Sequence, residues 1–361
     1  MSKFLSPRLS SLEAYTPGEQ PRDKKYVKLN TNESPFPPSP EVIEAVNSKE
    51  VSMLNLYSDP TCKALREKLA ARYGVEADMV FVSNGSDDIL NFSFMAFCDK
   101  EKGMAYPDIS YGFYKVFAAL HGVKSEVKAL REDFSVAIDD YCTLNSNIVI
   151  ANPNAPTGLS IDLDAIRRIL ETNKNNVVII DEAYVDFGGE SALSLVPEYD
   201  NLLVVRTFSK SRSLAGARLG FAIGNKELIA DLELIKYSTN PYDINRLTQV
   251  AGCAAIDSDE YYFENVKTII KNREYTTEKL SEMGFEVLPS KANFVFARHR
   301  RADGGDLYLK LREKGVLVRH FTGERIKDYL RITIGTMEEM EVLINKLKEI
   351  LAEEGTAYEK Q

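Results

Sequence analysis

The chain has 361 residues, 44% of them hydrophobic and 27% charged, and 54 acidic against 45 basic side chains give a net charge of −9. That length buries a large core and fits two domains, or one with an appendage, while the acidic balance argues against general nucleic-acid binding. Four scattered cysteines with no Cys-x-x-Cys pair, and three histidines at no ligand spacing from them, argue against zinc or any other metal centre and for a reduced, cytoplasmic protein. The first residues hold no apolar stretch of the secretory type. No apolar run approaches the ~18 residues of a membrane span.

In chain order, residues 1–40 are rich in Pro, Ser and Asn and end in Asn30-Thr-Asn-Glu-Ser-Pro-Phe-Pro-Pro-Ser-Pro40. Proline removes donors and biases its predecessor away from helix, so this segment reads as an extended arm. Pro40 suits a first helical turn, opening a helix over 41–46. From about 60 to 240, helical and strand patterns alternate. Residues 62–73 and 89–97 read as helices around a strand at 79–82, and strands at 104–106 and 148–151 follow, the first leading into a helix that ends near His121. A helix at 163–172 precedes two apolar runs, Val177-Val-Ile-Ile180 and Leu202-Leu-Val-Val205. Such alternation predicts βαβ units and a mostly parallel sheet. After Pro241 a long helical stretch from Ile244 to Met283, broken near 257–259, leads to strands at 285–288, 293–297, 317–318 and 329–334 and helices at 305–314 and 337–351. The expected organisation is an arm (1–40) associated with a small α+β domain (246–361) and a large α/β domain (41–245). Glu353-Glu354 and Glu359-Lys360 read as a solvated tail.

Five loops that follow predicted strands carry polar groups. Gly85-Ser86-Asp87 opens a helix, where free N–H groups and the helix dipole favour a phosphate; Ser and Asp are equally good N-caps. Tyr111 beside Gly112 offers a ring to stack on a flat group, or ordinary packing. Asn152-Pro-Asn-Ala-Pro-Thr-Gly158 is a turn with two amides to offer. Asp181 ends the 177–180 run, with Tyr184 three residues on. Ser209, Lys210 and Arg218 follow the 202–205 run, and Arg is the residue for bidentate phosphate recognition. In an open α/β sheet all of these fall at the carboxyl edge, where ligands bind. An amine able to form a Schiff base with an aldehyde, an acid to pair with a pyridinium nitrogen and a phosphate turn together point to pyridoxal 5′-phosphate.

On these motifs, with Leu29-Asn-Thr-Asn-Glu33, Tyr57-Ser-Asp-Pro60, Asn84-Gly-Ser-Asp87, Gly315-Val-Leu-Val-Arg319 and Leu330-Arg-Ile-Thr-Ile-Gly335, the chain resembles the fold-type I aminotransferases, specifically the histidinol-phosphate aminotransferase family, nearly end to end. The resemblance implies that Lys210 bonds the cofactor aldehyde and moves the proton, that Asp181 pairs with the ring nitrogen and that Tyr111 stacks on the ring. Tyr184 would meet the phenolate oxygen, and Gly85, Ser86, Asp87, Ser209 and Arg218 would hold the phosphate. It further implies that Tyr57 reaches the cofactor of a second subunit in a homodimer. Arg331 and Arg319 would meet the anionic groups of amino and keto acid substrates, and Tyr15 and Asn32 would shape the substrate end. The family commonly has Asn immediately before Pro-Thr-Gly. Here that residue is Ala155, which moves the expected phenolate contact to Asn154 or Asn152.

The activity expected is ping-pong amino transfer between histidinol phosphate and 2-oxoglutarate. Two alternatives share the apparatus: decarboxylation of threonine phosphate, marked by carbon dioxide release without a keto acid, and a broader or aromatic aminotransferase. A non-catalytic, aminotransferase-like regulator would have lost Lys210, Asp181 or Arg218 or gained a helix-turn-helix; the chain keeps all three residues, and 1–40 shows no such pattern.

Overall fold

A computed structural model describes residues 5–353; the tail from Glu354 onward, with the expectation placed on it, lies outside the described residues. The arm carries one short strand, β1 (Val27–Lys28), and leads to helices α1 (Pro40–Ala45), α2 (Ser48–Ser52) and α3 (Lys63–Tyr73). As proline at the first position suggested, α1 starts at Pro40, with the Ser39 hydroxyl accepting from Val42 N. There follow β2 (Val80–Ser83), α4 (Ser86–Phe97), β3 (Met104–Pro107), α5 (Phe113–His121), β4 (Ser125–Lys128), β5 (Asn147–Ala151), α6 (Leu163–Thr172), β6 (Val178–Asp181), β7 (Leu202–Thr207), β8 (Gly220–Gly224) and α7 (Lys226–Thr239). The remainder comprises α8 (Arg246–Asp257), α9 (Asp259–Glu282), β9 (Phe285–Val287), β10 (Phe294–His299), α10 (Gly304–Glu313), β11 (Val316–Leu317), β12 (Arg319–His320), β13 (Tyr329–Thr333) and α11 (Met337–Glu353).

Seven strands form one sheet in the order β2-β8-β7-β6-β5-β3-β4. The pairings among β4, β3, β5, β6 and β7 are parallel, whereas β8 runs antiparallel to both β7 and β2. Two reversals restore the direction, so the carboxyl end of β2 lies on the same sheet edge as those of β6 and β7. The interior strands are buried throughout because helices cover both faces, as their unbroken apolar runs require. Val178, Ile180, Leu202 and Val204 pack on one side, and Ile179, Leu203 and Val205 on the other. Sequence patterning missed β4, a polar edge strand with alternating exposure, and the β8–α7 unit, whose strand is bracketed by Gly220 and Gly224.

A second, antiparallel sheet, β12-β13-β10-β9, has its own core under α9, α10 and α11. The arm joins this side through β1, which pairs in parallel with β11. The expected boundary at residue 246 does not coincide with the change of core. Helix α8 buries Ala251, Ala255 and Ile256 in the core of the large sheet, and only within α9, between Tyr262 and Val266, does the chain pass to the second core. The physical reason is amphipathic: the apolar stripe of α8 faces α1 and α3. Arg273 then staples the two parts together, donating to Phe187 O at 2.8 Å and Ala292 O at 2.7 Å.

Strand β8 also shapes the turn after β2. A methyl group on Gly220 would lie 2.4 Å from Ser86 N and 2.5 Å from Gly85 C, both main-chain atoms that cannot swing aside. Gly220→Ala is therefore expected to cost about 1–3 kcal/mol, read as a lower urea midpoint; an unchanged midpoint would show that this close approach is dispensable.

Candidate active site

Five loops meet at the carboxyl edge of the large sheet around a cavity of about 320 Å³, lined among others by Ser86, Asp87, Tyr111, Ala155, Asp181, Tyr184, Ser209, Lys210 and Arg218. Asp181, at the last position of β6, is buried, with Tyr114 OH donating to Oδ2 at 2.8 Å and Ala183 N to Oδ1 at 3.2 Å. Burial pushes its carboxyl up to about 6, against the pull of the Tyr114 hydroxyl and of the Lys210 charge. Across the cavity Lys210 Nζ donates to Thr31 O at 3.4 Å and sits 5.8 Å from the centre of the Tyr184 ring. Tyr184 OH accepts from Asn32 Nδ2 at 3.0 Å, which leaves its own hydrogen to donate into the cavity. Asn32 is itself locked: φ is +55°, and its side chain accepts from Thr333 Oγ1 at 2.9 Å.

At the β2–α4 turn neither Ser86 nor Asp87 acts as the N-cap that the sequence offered. The N-cap is Gly85, and no side chain caps α4, so first-turn N–H groups remain open to an anion. Gly85 has φ +92°, and a Cβ there would lie 2.8 Å from Arg218 Nη2; the turn is a cradle that a side chain would fill. The Asp87 carboxylate accepts from Tyr111 OH at 2.6 Å and from Arg218 at 2.9 Å. An acid has no hydrogen to give a phosphate, so Asp87 orients Tyr111 and Arg218 with its side chain and can offer an anion only its main-chain N–H.

Asn154 requires a correction. Both amide hydrogens are taken, by Ile109 O and Thr157 Oγ1 at 3.0 Å each, and its oxygen accepts from Ser110 Oγ at 2.7 Å. Asn152 pairs with the main chain of Ile161, donating one amide hydrogen to its carbonyl and accepting from its N–H. Both asparagines build the turn, and it is Ala155 that lines the cavity. Tyr57 does not join these residues either: it is 78% exposed on the outer surface.

A larger cavity of about 810 Å³ adjoins the first, bounded by Tyr15, Asn30, Asn32, Tyr111, Arg319 and Arg331 with the 321–326 loop. Tyr15 stacks on Phe113 with centroids 4.2 Å apart. Arg319 and Arg331 occupy directly opposed positions on the antiparallel strands β12 and β13. Each guanidinium lies 5.7 Å from the Phe321 ring, and Arg331 lies 5.5 Å from Phe294 on its other side. Among the described residues neither arginine has an acidic partner: Arg319 donates to Thr16 O and Pro17 O, and Arg331 Nη2 to Asn30 O at 3.1 Å, while its Nε has no partner. Burial pulls the Arg331 proton affinity down. Like charges facing each other across a strand pair are destabilising, and an anion between them removes that cost.

Sequence reasoning passed over Tyr114, Thr31 and Arg325. Tyr114, in the first turn of α5, follows three residues after Tyr111, which precedes the helix and accepts from Tyr114 N at 3.2 Å; that spacing could have flagged it. Arg325 reaches across from the small sheet's side to Asp108 at 3.0 Å and to Leu130 O and Arg131 O, closing the far wall of the larger cavity. Nothing in its local sequence announces that contact.

The family model for aminotransferase class I and II matches residues 24–347. A histidinol-phosphate aminotransferase of Brachyspira hyodysenteriae is 52% identical over 352 residues, covering 97% of this chain and 99% of the relative. Among solved structures, the histidinol-phosphate aminotransferase of Sinorhizobium meliloti in complex with pyridoxal-5′-phosphate superposes with TM-score 0.85 at 21% identity, over 98% of this chain and 99% of that one. The L-threonine-O-3-phosphate decarboxylase of Porphyromonas gingivalis does so with TM-score 0.79 at 21% identity, over 90% and 99%. The last two establish the fold alone; with the first two, they mean that the chain belongs to the class I and II aminotransferases, in the histidinol-phosphate aminotransferase family.

Proposed function

We propose that the chain transfers an amino group between histidinol phosphate and 2-oxoglutarate with pyridoxal 5′-phosphate as cofactor. The observation that carries the substrate side is the opposed, acid-free pair Arg319 and Arg331. Both substrates of this exchange are anions, one a phosphate ester and the other a dicarboxylate, and two guanidiniums sharing the Phe321 ring can bind either. The 52% identical relative supports the same reading and favours transfer over decarboxylation.

The residues of the smaller cavity fit the cofactor. Gly85, Ser86, Ser209 and Arg218 form a donor set for its phosphate, Tyr111 supplies a ring face, and Tyr184 OH can donate to its phenolate oxygen, a position for which Ala155 has no amide. The cofactor, when bound, accepts the amino group and draws electrons from the substrate carbon that carries it. Asp181 keeps the ring nitrogen protonated: a carboxylate with no access to water gains most from a cation at contact distance. Lys210 Nζ moves the proton at the substrate carbon, general acid–base work for which a positioned amine is suited. Arg331 orients the substrate, with Arg325 and Tyr15 among the residues that wall the larger cavity.

The assembly we propose is a homodimer. Tyr57 stacks on Tyr242 at 4.4 Å on the outer surface, with Leu54 and Leu56 more than half exposed beside it. An apolar patch of that kind marks an interaction face, and a second copy would bring Tyr57 to the neighbouring cofactor. The compartment we propose is the cytoplasm, on the strength of four cysteines that are all free thiols; no helix among the described residues is long and apolar enough to cross a membrane.

Three outcomes are expected. Lys210→Ala abolishes turnover and replaces the visible band of the cofactor-loaded protein with that of the free aldehyde, without unfolding it; normal transamination by this variant would sink the proposed role. Arg331→Ala weakens 2-oxoglutarate and glutamate binding by about 2–5 kcal/mol, the usual cost of losing one partner of a desolvated charge pair, and an unchanged KM for both would count against it. The third concerns pH. The folded pKa of Asp181, about 6, lies above its ordinary 3.8, so the stability it contributes is complete below pH 4 and is lost as pH rises through 6. Denaturation of the cofactor-free protein between pH 4 and 7 should show this loss, at most about 3 kcal/mol, and Asp181→Asn should remove it. Parallel pH profiles for the two proteins would contradict the assignment.

A further inference from the structure

Away from the cavity, one ion pair is almost wholly enclosed: the side chains of Lys236 and Asp243 are 2% and 3% exposed. Charged groups are rarely buried, and a buried pair is weak grounds for stability because desolvation offsets the attraction. Its placement suggests another use. Lys236, on α7, sets its ammonium 3.1 Å from Asp243 Oδ1 and donates a hydrogen bond to Val82 O at 3.1 Å, with the Phe81 ring 5.7 Å away. Asp243 Oδ2 accepts from Ser83 Oγ at 2.6 Å. The pair therefore grips two consecutive residues at the end of β2, the edge strand of the large sheet. Ser83 is also where the anion turn begins, since its carbonyl accepts from Gly85 N at 2.8 Å.

We propose that Ser83, aimed by the buried Lys236–Asp243 pair, is a positioning residue for the phosphate turn at the start of α4. The inference rests on the cofactor reading above. Gly85 has no side chain with which to fix its own φ of +92°, and Gly220 keeps clear of it only by lacking a Cβ. The turn is consequently held from outside, by Arg218 and Asp87 on the cavity side and by Ser83 and Asp243 beneath. Neither Ser83 nor the ion pair lines the cavity, so the effect reaches the cofactor only through the placement of the Gly85 and Ser86 N–H groups.

The test separates phosphate positioning from general support of the fold. Equilibrium dialysis of the cofactor-free protein against pyridoxal 5′-phosphate and against pyridoxal, which lacks the phosphate, gives an affinity ratio that a merely structural residue does not alter. Ser83→Ala should weaken pyridoxal 5′-phosphate binding about tenfold, the loss of one hydrogen bond to a charged group, and change pyridoxal binding less than twofold. Lys236→Met with Asp243→Leu removes both charges, leaving no lone buried ion, and should give the same selective loss. Adding Ser83→Ala to that double variant should cost nothing more, as residues acting through one contact are non-additive. Equal losses for both ligands, or none, would overturn the proposal. A parent protein that binds neither ligand would overturn the cofactor reading itself, and is detected before any variant is made.

Discussion

The site depends on a carboxylate that the fold has removed from water. Asp181 ends a strand buried on both faces, and its charged form is supported only by Tyr114 OH, one main-chain N–H and the field of Lys210. A buried acid in that state either keeps a proton or demands a cation, and the pyridinium of the proposed cofactor answers the second alternative. Much of the surrounding structure holds the acid and the amine in register. Arg206, near the end of β7, binds Asp186 at 2.5 Å and contacts Glu182 at 3.5 Å, and Asp186 also accepts from Ser211 Oγ. The loop that carries Asp181 is thus tied from beneath to the loop that carries Lys210. Burial pushes the Glu182 carboxyl up to about 7, against the nearby Arg206 charge, whereas Asp186, buried as well, is held below the usual carboxylate range by Arg206, Ser211 and Arg212.

Opposite electrostatic logic governs the substrate side. There the excess is positive, with the half-buried Arg319 and Arg331 opposed and, among the described residues, only carbonyl oxygens accepting from them. A carbonyl satisfies the hydrogen bond of a guanidinium but not its charge, which leaves the pocket ready for an anion without committing it to one. The arm belongs to the same device: Thr16 and Pro17 hold Arg319, while Glu19 binds Arg312 and Tyr308 of α10, so the segment carrying Tyr15 is anchored to the small-sheet side while its ring lies on α5.

The sheet edge was legible because its signals are local. An apolar run ending in Asp181, another followed by Ser209-Lys210, and a Gly-Ser-Asp turn each announce a strand end, and the parallel fold aligns them. What escaped the sequence depends on distant partners. Strand β8 is bracketed by glycines that look like loop signals until their close approach to Gly85 and Leu202 is seen. Asn154 carried the right chemistry, but its donors were already claimed by a carbonyl 45 residues away in the chain. Asp87 reads from the sequence as a phosphate contact, yet its carboxylate accepts from Tyr111 and Arg218 and so gives its side chain a bracing role. Residue type and position along a strand end were readable; which hydrogen bonds a side chain has left to give was not.

Chemistry and specificity consequently occupy different parts of the molecule. The acid, the amine and the turn before α4 all stand on the large sheet, whereas the two arginines proposed to face the substrate stand on β12 and β13 and donate to carbonyls of the arm. A decarboxylase of the same fold can retain the first set unchanged, and for that reason backbone similarity at 21% identity does not separate the two reactions. The distinction must lie in how the substrate is turned about the bond to be broken, because the bond held perpendicular to an electron-withdrawing ring is the one that weakens. Under the proposed function that orientation would be set by Arg331, which lies 5.5 Å from Phe294 and 5.7 Å from Phe321, with Arg319 opposite it as the anion's second contact. Moving either guanidinium relative to Lys210 would change which bond faces the base, with no alteration to the groups that perform the chemistry.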